Sequence, residues 1–406
     1  MAMLLPAAYG RYDPCLAARR RSRLGRSRPA RGVGGVLLGA LGWLAACPPD
    51  AGAEVLQVGP ERSLQVPSEA AAVAKDSDIV RIDPGDYVDC ATWRASGLVL
   101  EAPEGAAHVR DRTCADKAIW VIAGDDVTVD NITFSGARVA DQNGAGIRAE
   151  GRNLTVRNAR FYDNENGLLA GSREGSTILI ERSTFERNGK CAANCAHGIY
   201  VNRIGRLKIV DSTFREQRSG HHVKSGALAL EVTGSTIEDG PDGTASYLID
   251  IVGGAHALIA DNVMAKGPKS ENRGTAIHIS GKGSPPDGPG YRISGNRFRS
   301  DTSERVAFVR NRTVVPAVLE ANRLEGNVEP LVGPGTVDSE PGAPAPARDL
   351  VTEGSTAATS GAEPAAGPAA WDDLEAKLRL LKRLFEQELV TEEEYTAKKA
   401  ELLRDF

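Results

Sequence analysis

The stretch Val127-Thr-Val-Asp-Asn-Ile-Thr-Phe134 recurs as Leu154-Thr-Val-Arg-Asn-Ala-Arg-Phe161, Ile178-Leu-Ile-Glu-Arg-Ser-Thr-Phe185 and Leu207-Lys-Ile-Val-Asp-Ser-Thr-Phe214. Each copy holds two apolar residues two apart, then a large apolar residue five positions on. Looser copies follow at Leu230-x-Val232…Ile237, Ala257-x-Ile259…Met264, Tyr291-x-Ile293…Phe298 and Ala317-x-Leu319…Leu324. The closing residues are spaced 27, 24, 29, 23, 27, 34 and 26 apart. Alternation with period two predicts strands, and a repeat of this length predicts a stacked array. Asn and Asp beside these strands (Asn131, Asn158, Asp211, Asn262, Asn296, Asn322) suit corners, because they tolerate left-handed backbone.

A second strand recurs in each unit: Gly146-Ile-Arg-Ala149, Gly167-Leu-Leu-Ala170, Gly198-Ile-Tyr-Val201, His222-Val-Lys-Ser225, Leu248-Ile-Asp-Ile251 and Ala276-Ile-His-Ile279. Two or three short strands per coil of uneven length describe an all-β solenoid, a right-handed parallel β-helix of roughly ten coils. Residues 54–338 resemble the pectate-lyase-like β-helix superfamily, and Asp78-Ile-Val-Arg-Ile-Asp-Pro-Gly-Asp-Tyr87 looks like its first coil. That superfamily includes polysaccharide lyases and epimerases, which is what the resemblance implies for activity.

Composition agrees. The 406 residues are 41% apolar and 25% charged, which excludes wholesale disorder. With 5% aromatics, 44 Gly and 22 Pro, short strands and turns fit better than long helices. A net charge of −5 argues against a nucleic-acid partner.

Eight Arg and one Asp give the first 46 residues a charge of +7, and the apolar run Val36–Ala46 follows. A basic region, a short apolar run and small residues form a secretory leader. The run is shorter than the about 20 residues that span a bilayer. Residues 1–53 are therefore expected to direct export, to the periplasm, the envelope or outside the cell. Cleavage is expected either before Cys47, where Leu44-Ala-Ala-Cys47 looks like a lipobox that would make Cys47 a lipid anchor, or before Glu54 after Ala51-Gly-Ala53. Without residues 1–46 the chain carries −12, from −5 less +7. Cys90, Cys114, Cys191 and Cys195 remain, an even number in an exported chain, which reads as disulfides. The simplest pairing is Cys90–Cys114 and Cys191–Cys195, although four cysteines allow three connectivities. Zinc is the rival reading for Cys191 and Cys195, but no second Cys/His pair stands at finger spacing.

Residues 339–370 are rich in Pro, Ala and Gly and read as a linker. Leu374, Leu378, Leu381 and Phe385 then follow helical spacing, and Thr391-Glu-Glu-Glu394 is a capping box opening a second helix. This hairpin over 371–406 resembles the SHOCT module of bacterial proteins. Being small, it is expected to need self-association or a protein partner.

Stacking turns the repeat into a surface map. If Ile147, Leu168, Ile199, Val223, Ile249 and Ile277 point inward, then Arg148, Leu169, Tyr200, Lys224, Asp250 and His278 point out. The flanking column Gly146, Gly167, Gly198, His222, Leu248 and Ala276 should also face out, as an open floor beside Lys224. At the corner stand Ala145, Asn166, His197, His221, Tyr247 and Thr275, whose facing alternation leaves open. Four of the six His (197, 221, 222 and 278) fall in this patch. The motifs Ala196-His-Gly-Ile-Tyr-Val201, Gly220-His-His-Val-Lys-Ser225 and Ser246-Tyr-Leu-Ile-Asp250 resemble a bacterial right-handed β-helix family.

Three chemistries compete for the patch. Uronate β-elimination or C5 epimerisation needs a base, cations for the carboxylate and an acid. Lys224 or a histidine (His197, His221) would be the base, Arg148 or His222 the neutraliser, and Tyr200 or Tyr247 the acid. His278 and Arg203 would help bind an acidic polysaccharide, alongside Asp250 in the column. Glycoside hydrolysis needs two carboxylates about 5–9.5 Å apart, and only Asp250 stands in the column, with Asp239 and Asp242 on the following loop. The third reading is a non-catalytic carbohydrate-binding or envelope protein. Lys224 and Asp250 would then be an exposed ion pair, and His197 and His221 corner residues bonding backbone carbonyls. None of these requires a cofactor; a divalent cation on a His/His/Asp set is the remaining alternative, with no diagnostic metal spacing.

Overall fold

Three parallel sheets, joined by short turns, wind one strand each per coil into a right-handed β-helix of about ten coils. The structure is a computed structural model describing residues 52–191, 195–252, 256–280 and 290–338. The leader through residue 51, the linker and the helical hairpin lie outside the described residues, as does the anchor candidate Cys47. Among the described residues, the long sheet has twelve strands, from Val55–Val58 to Gly335–Val337. The aromatic sheet has ten, from Gly85–Tyr87 to Arg323–Glu325, and the site sheet ten, from Ala91–Trp93 to Val328–Val332. The short helix Pro67–Val73 packs on the first coil and buries Ala70.

The register is the one that the sequence repeat implies. Val127, Leu154, Ile178, Leu207, Leu230, Ala257, Tyr291 and Ala317 are successive partners in the long sheet. In the aromatic sheet Phe134, Phe161, Phe185 and Phe214 stack with ring centroids 5.1, 4.6 and 4.8 Å apart. Those distances match the inter-strand spacing of about 4.8 Å, so one ring per coil fills the interior without gaps. Both disulfides of the simplest pairing form, Cys90–Cys114 and Cys191–Cys195.

A single left-handed residue turns the chain from the long to the aromatic sheet: Asn131, Asn158 and Asp211 with φ of 58°, 53° and 49°. The expectation fails at Asn262, Asn296 and Asn322. There Asp261, Gly295 and Ala321 take the left-handed position, and the asparagine one residue later turns inside. Asn296 Oδ1 accepts the Asn262 N–H at 3.0 Å, and Asn322 Oδ1 the Asn296 N–H at 3.0 Å. Ser183, Ser212 and Ser235 continue the same ladder, each hydroxyl or amide oxygen taking the N–H of the coil before. The corner leaves these buried N–H groups without a strand partner, and the side chains satisfy them.

The supposed open floor on the site sheet is also corrected. Residues 222 and 223 are both buried, so the alternation breaks at the start of the strand His221–Ser225 although the pairing with the next coil stays in register. His222, Leu248 and Ala276 are all buried to within 1%. Gly146 and Gly167 are small because the phenylalanine stack fills the space opposite, and Gly198 because the His222 carbonyl and the Gln217 side chain do. A Cβ on Gly167 would lie 2.5 Å from the Gly198 carbonyl oxygen and 2.6 Å from a Phe185 ring carbon. Gly167→Ala should therefore lower stability by about 1–3 kcal/mol through overpacking. An unchanged urea midpoint for this variant would contradict the packing described.

Candidate functional site

Consecutive strands Ile199–Val201, His221–Ser225, Tyr247–Val252, Thr275–Ser280 and Val306–Asn311 of the site sheet set one outward residue per coil in line. The line is Tyr200, Lys224, Asp250, His278 and Arg310, each the register partner of the next. Lys224 Nζ lies 4.7 Å from the centroid of the Tyr200 ring. Asp250 Oδ1 is 2.8 Å from His278 Nδ1, and Oδ2 is 3.4 Å from His221 Nε2. A carboxylate only accepts, so His278 carries its proton on Nδ1 and keeps Nε2 as an acceptor when neutral.

The corner residues form a second line. Rings of His197, His221, Tyr247 and His278 stack at 4.8, 4.9 and 4.6 Å. His197 N–H donates to Asn166 Oδ1 at 2.8 Å, His221 N–H to His197 Nδ1 at 3.0 Å, and Tyr247 N–H to His221 Nδ1 at 3.2 Å. The histidines thus accept backbone N–H groups, where carbonyl bonding was the expectation. An imidazole nitrogen that accepts a backbone N–H has no proton, so both histidines carry theirs on Nε2. Burial depresses both: His221 falls to about 4, and His197 well below the usual range. Burial and the Asp250 charge raise the Tyr200 and Tyr247 phenols, so both stay protonated at neutral pH.

Beneath the site lies a buried ionic cluster. His222 Nε2 is 2.8 Å from Asp239 Oδ1, and Lys266 Nζ is 3.5 Å from Asp239 Oδ2. Asp239 also accepts the Gly267 N–H at 3.1 Å and the Ser270 hydroxyl at 2.5 Å. Lys266 donates to the carbonyls of Ala245 and Ser246 at 3.1 and 2.7 Å. Burial opposes ionising Asp239, but the His222 hydrogen bond and the Lys266 charge bring it down to about 2. The cluster ties His222, next to His221, to the segment entering Tyr247, and so fixes both site strands from inside. His222 cannot meet a substrate carboxylate, and Asp239 does not stand on an exposed loop.

A cleft of about 630 Å³ opens over the first members of the two lines, lined among others by His197, Tyr200, His221, Lys224, Ser246 and Glu271. Asp141, Gln142 and Asn143 line it from a loop of an earlier coil. Arg148 occupies the same outward line, with Leu169 between it and Tyr200. Arg203 stands outside the cleft, in the turn after the site strand, paired with Glu174 at 3.1 Å. Sequence reasoning missed Arg310, which lies one coil beyond the last second strand recognised, and Glu271 as a cleft wall. Asp239 and Lys266 were signalled by alternation, since each stands two residues after an inward Ile237 or Met264.

A model of the right-handed β-helix region matches residues 107–264. Among solved structures, the chain resembles an alginate lyase from Paenibacillus sp. str. FPU-7, with a TM-score of 0.53 and 19% identity over 66% of this chain and 96% of that one. The A-module of the Azotobacter vinelandii mannuronan C-5 epimerase AlgE6 aligns with a TM-score of 0.36 and 13% identity, over 70% of this chain and 92% of that one. None of the curated proteins matches the chain. At these identities the likeness concerns the fold.

The histidine ladder makes stability fall in acid. Each of the two histidines binds its proton less readily folded than unfolded, so the unfolded chain binds more protons as pH drops. The contribution of His221 is complete above about pH 6.5 and is lost as pH falls toward its folded value of about 4, and that of His197 is lost in the same direction. For His221 alone it is about 3 kcal/mol. Urea midpoints should fall between pH 7 and pH 4.5, and His221→Gln should flatten that slope whatever it does to absolute stability. An unaltered slope would contradict the ladder.

Proposed function

We propose that the cleft cleaves a uronate-containing acidic polysaccharide by β-elimination, with Lys224 as base and Tyr200 as acid. The observation that carries the reading is the pair itself, on adjacent coils at the floor of a cleft walled by two neutral histidines. Elimination at a uronate needs three things: a base for the C5 proton, a proton for the departing O4, and donors that hold the carboxylate as charge builds on it. His197 and His221 are poor bases, since Nδ1 is engaged and Nε2 already carries the proton. His197 suits the donor role, while the His221 Nε2–H faces Asp250 and holds the line in place, and Arg148 and Arg310 extend positive charge along it. Tyr200 is protonated at neutral pH and supplies the leaving-group proton. Lys224, in its neutral form, takes the C5 proton.

C5 epimerisation is the second reading, favoured by the other protonated phenol. Tyr247 stands in the coil after Lys224 and would return a proton to the opposite face. The leader and the two disulfides support an exported protein meeting such a polymer in an oxidising compartment.

The exported domain should be incubated with a panel of uronate polymers, following the absorbance of unsaturated ends and deuterium exchange at C5 by NMR. Absorbance identifies elimination, and exchange without absorbance identifies epimerisation. Binding with neither would leave a recognition protein and contradict catalysis. Lys224→Ala and Tyr200→Phe should each lower turnover by about 10²-fold or more. Their stability should stay near wild type, because both side chains face outward. The alkaline limb of the rate should lie above about pH 10, since the Tyr200 phenol is raised from its ordinary value. Full turnover by either variant would overturn the assignment.

A further inference from the structure

On the outer face of the aromatic sheet, away from the cleft, four consecutive coils bring together Asp86, His108, Ser135 and Tyr162. Asp86 is the register partner of His108, and Ser135 that of Tyr162. His108 Nδ1 is 2.7 Å from Asp86 Oδ1, and His108 Nε2 is 2.7 Å from Ser135 Oγ. The Tyr162 hydroxyl lies 3.1 Å from the same Nε2. The carboxylate only accepts, so His108 donates Nδ1–H to Asp86 and presents Nε2 as the acceptor to Ser135. That is the hydrogen-bond order of an activated serine: carboxylate to imidazole to hydroxyl, recognised by geometry and role rather than by chain order.

The geometry points to a second active site, a serine esterase centre with Ser135 as nucleophile, His108 as base and Asp86 as the group that orients it. The Tyr162 hydroxyl lies against the same Nε2, and once His108 takes the serine proton the hydroxyl can no longer donate there and would turn to the oxyanion. The Arg160 guanidinium sits 5.2 Å from the Tyr162 ring centroid, and Arg110 lies 3.3 Å from Asp86. Arg160 pairs with Glu186, and Arg110 with Asp86 and Asp111, so the face is mixed in charge and suits a small neutral acyl ester, such as an O-acetyl group, carried on a polysaccharide.

In the first step Ser135 Oγ bonds to the carbonyl carbon and its proton passes to His108 Nε2. The ester C–O bond then breaks, and the departing sugar oxygen takes that proton from His108. Water attacks the acyl-enzyme, giving a proton to His108, which returns it to Ser135 Oγ as the acid leaves. Nothing beyond the ester and water is consumed. Asp86 is 64% exposed in its side chain, so its loss should cost less than loss of Ser135 or His108.

The full chain should be treated with a fluorophosphonate probe, with the adduct located by peptide mass mapping, and assayed for hydrolysis of p-nitrophenyl acetate. A single adduct on Ser135 is expected, absent in Ser135→Ala and His108→Gln, with hydrolysis lowered by at least about 10²-fold in both. Tyr162→Phe should keep the labelling and slow hydrolysis. Absence of a Ser135 adduct in the wild-type chain, or undiminished hydrolysis in Ser135→Ala, would overturn the proposal. The wild-type labelling decides the matter even if a variant fails to fold. The probe and ester contain no uronate, so the outcome is independent of the elimination reading.

Discussion

Backbone pairing between successive coils, at the inter-strand distance of about 4.8 Å, is the constraint on which everything else rests. It forces one residue per coil into each line, whether that line is inside or outside. Inside, it produces the phenylalanine stack, and that stack in turn requires the glycines opposite. Outside, it sets Tyr200, Lys224, Asp250 and His278 within reach of their neighbours without any loop to hold them. The site is therefore built on rigid sheet, where small displacements cost most in catalysis.

The corners are where the pairing fails, and side chains take over there. Serines and asparagines do so inside one corner, and His197 and His221 at another. Accepting a backbone N–H is ordinary structural work, yet it has a chemical consequence. It fixes the tautomer, and burial keeps the rings neutral, so two residues that resemble bases become hydrogen-bond donors. The structural and functional readings of these histidines are therefore not alternatives.

Much of this was legible because a period of two and a period of one coil are both visible in a linear sequence. The inward lines, the outward line through Lys224 and the closing Phe, Ile, Met and Leu positions all follow from those two periods. His222 was misread because the alternation slips by one residue at the corner, and a slip leaves no mark in composition. Lys266 was passed over and Asp239 assigned to a loop for the opposite reason. Alternation placed them inside with Met264 and Ile237, but charged residues are seldom fully buried unless paired, and the pairing appears only across coils. The loop carrying Asp141, Gln142 and Asn143 has no periodicity, so nothing in the sequence said that it reaches the cleft. Asp86 and His108 escaped notice because they lie in the first coils, before the repeat becomes regular, and Ser135 because it follows the closing Phe134 on a face carrying scattered polar residues.

The central claim is that the line through Tyr200 and Lys224 is where a uronate chain meets the protein. Its most direct test is a crystal structure of the Lys224→Ala protein soaked with a uronate oligosaccharide. The account predicts a sugar carboxylate within hydrogen-bond distance of His197 Nε2. The C5 hydrogen of that sugar should face position 224, and its O4 the Tyr200 hydroxyl. An oligosaccharide bound elsewhere on the solenoid, or one lying across the cleft with its carboxylate turned to solvent, would contradict it.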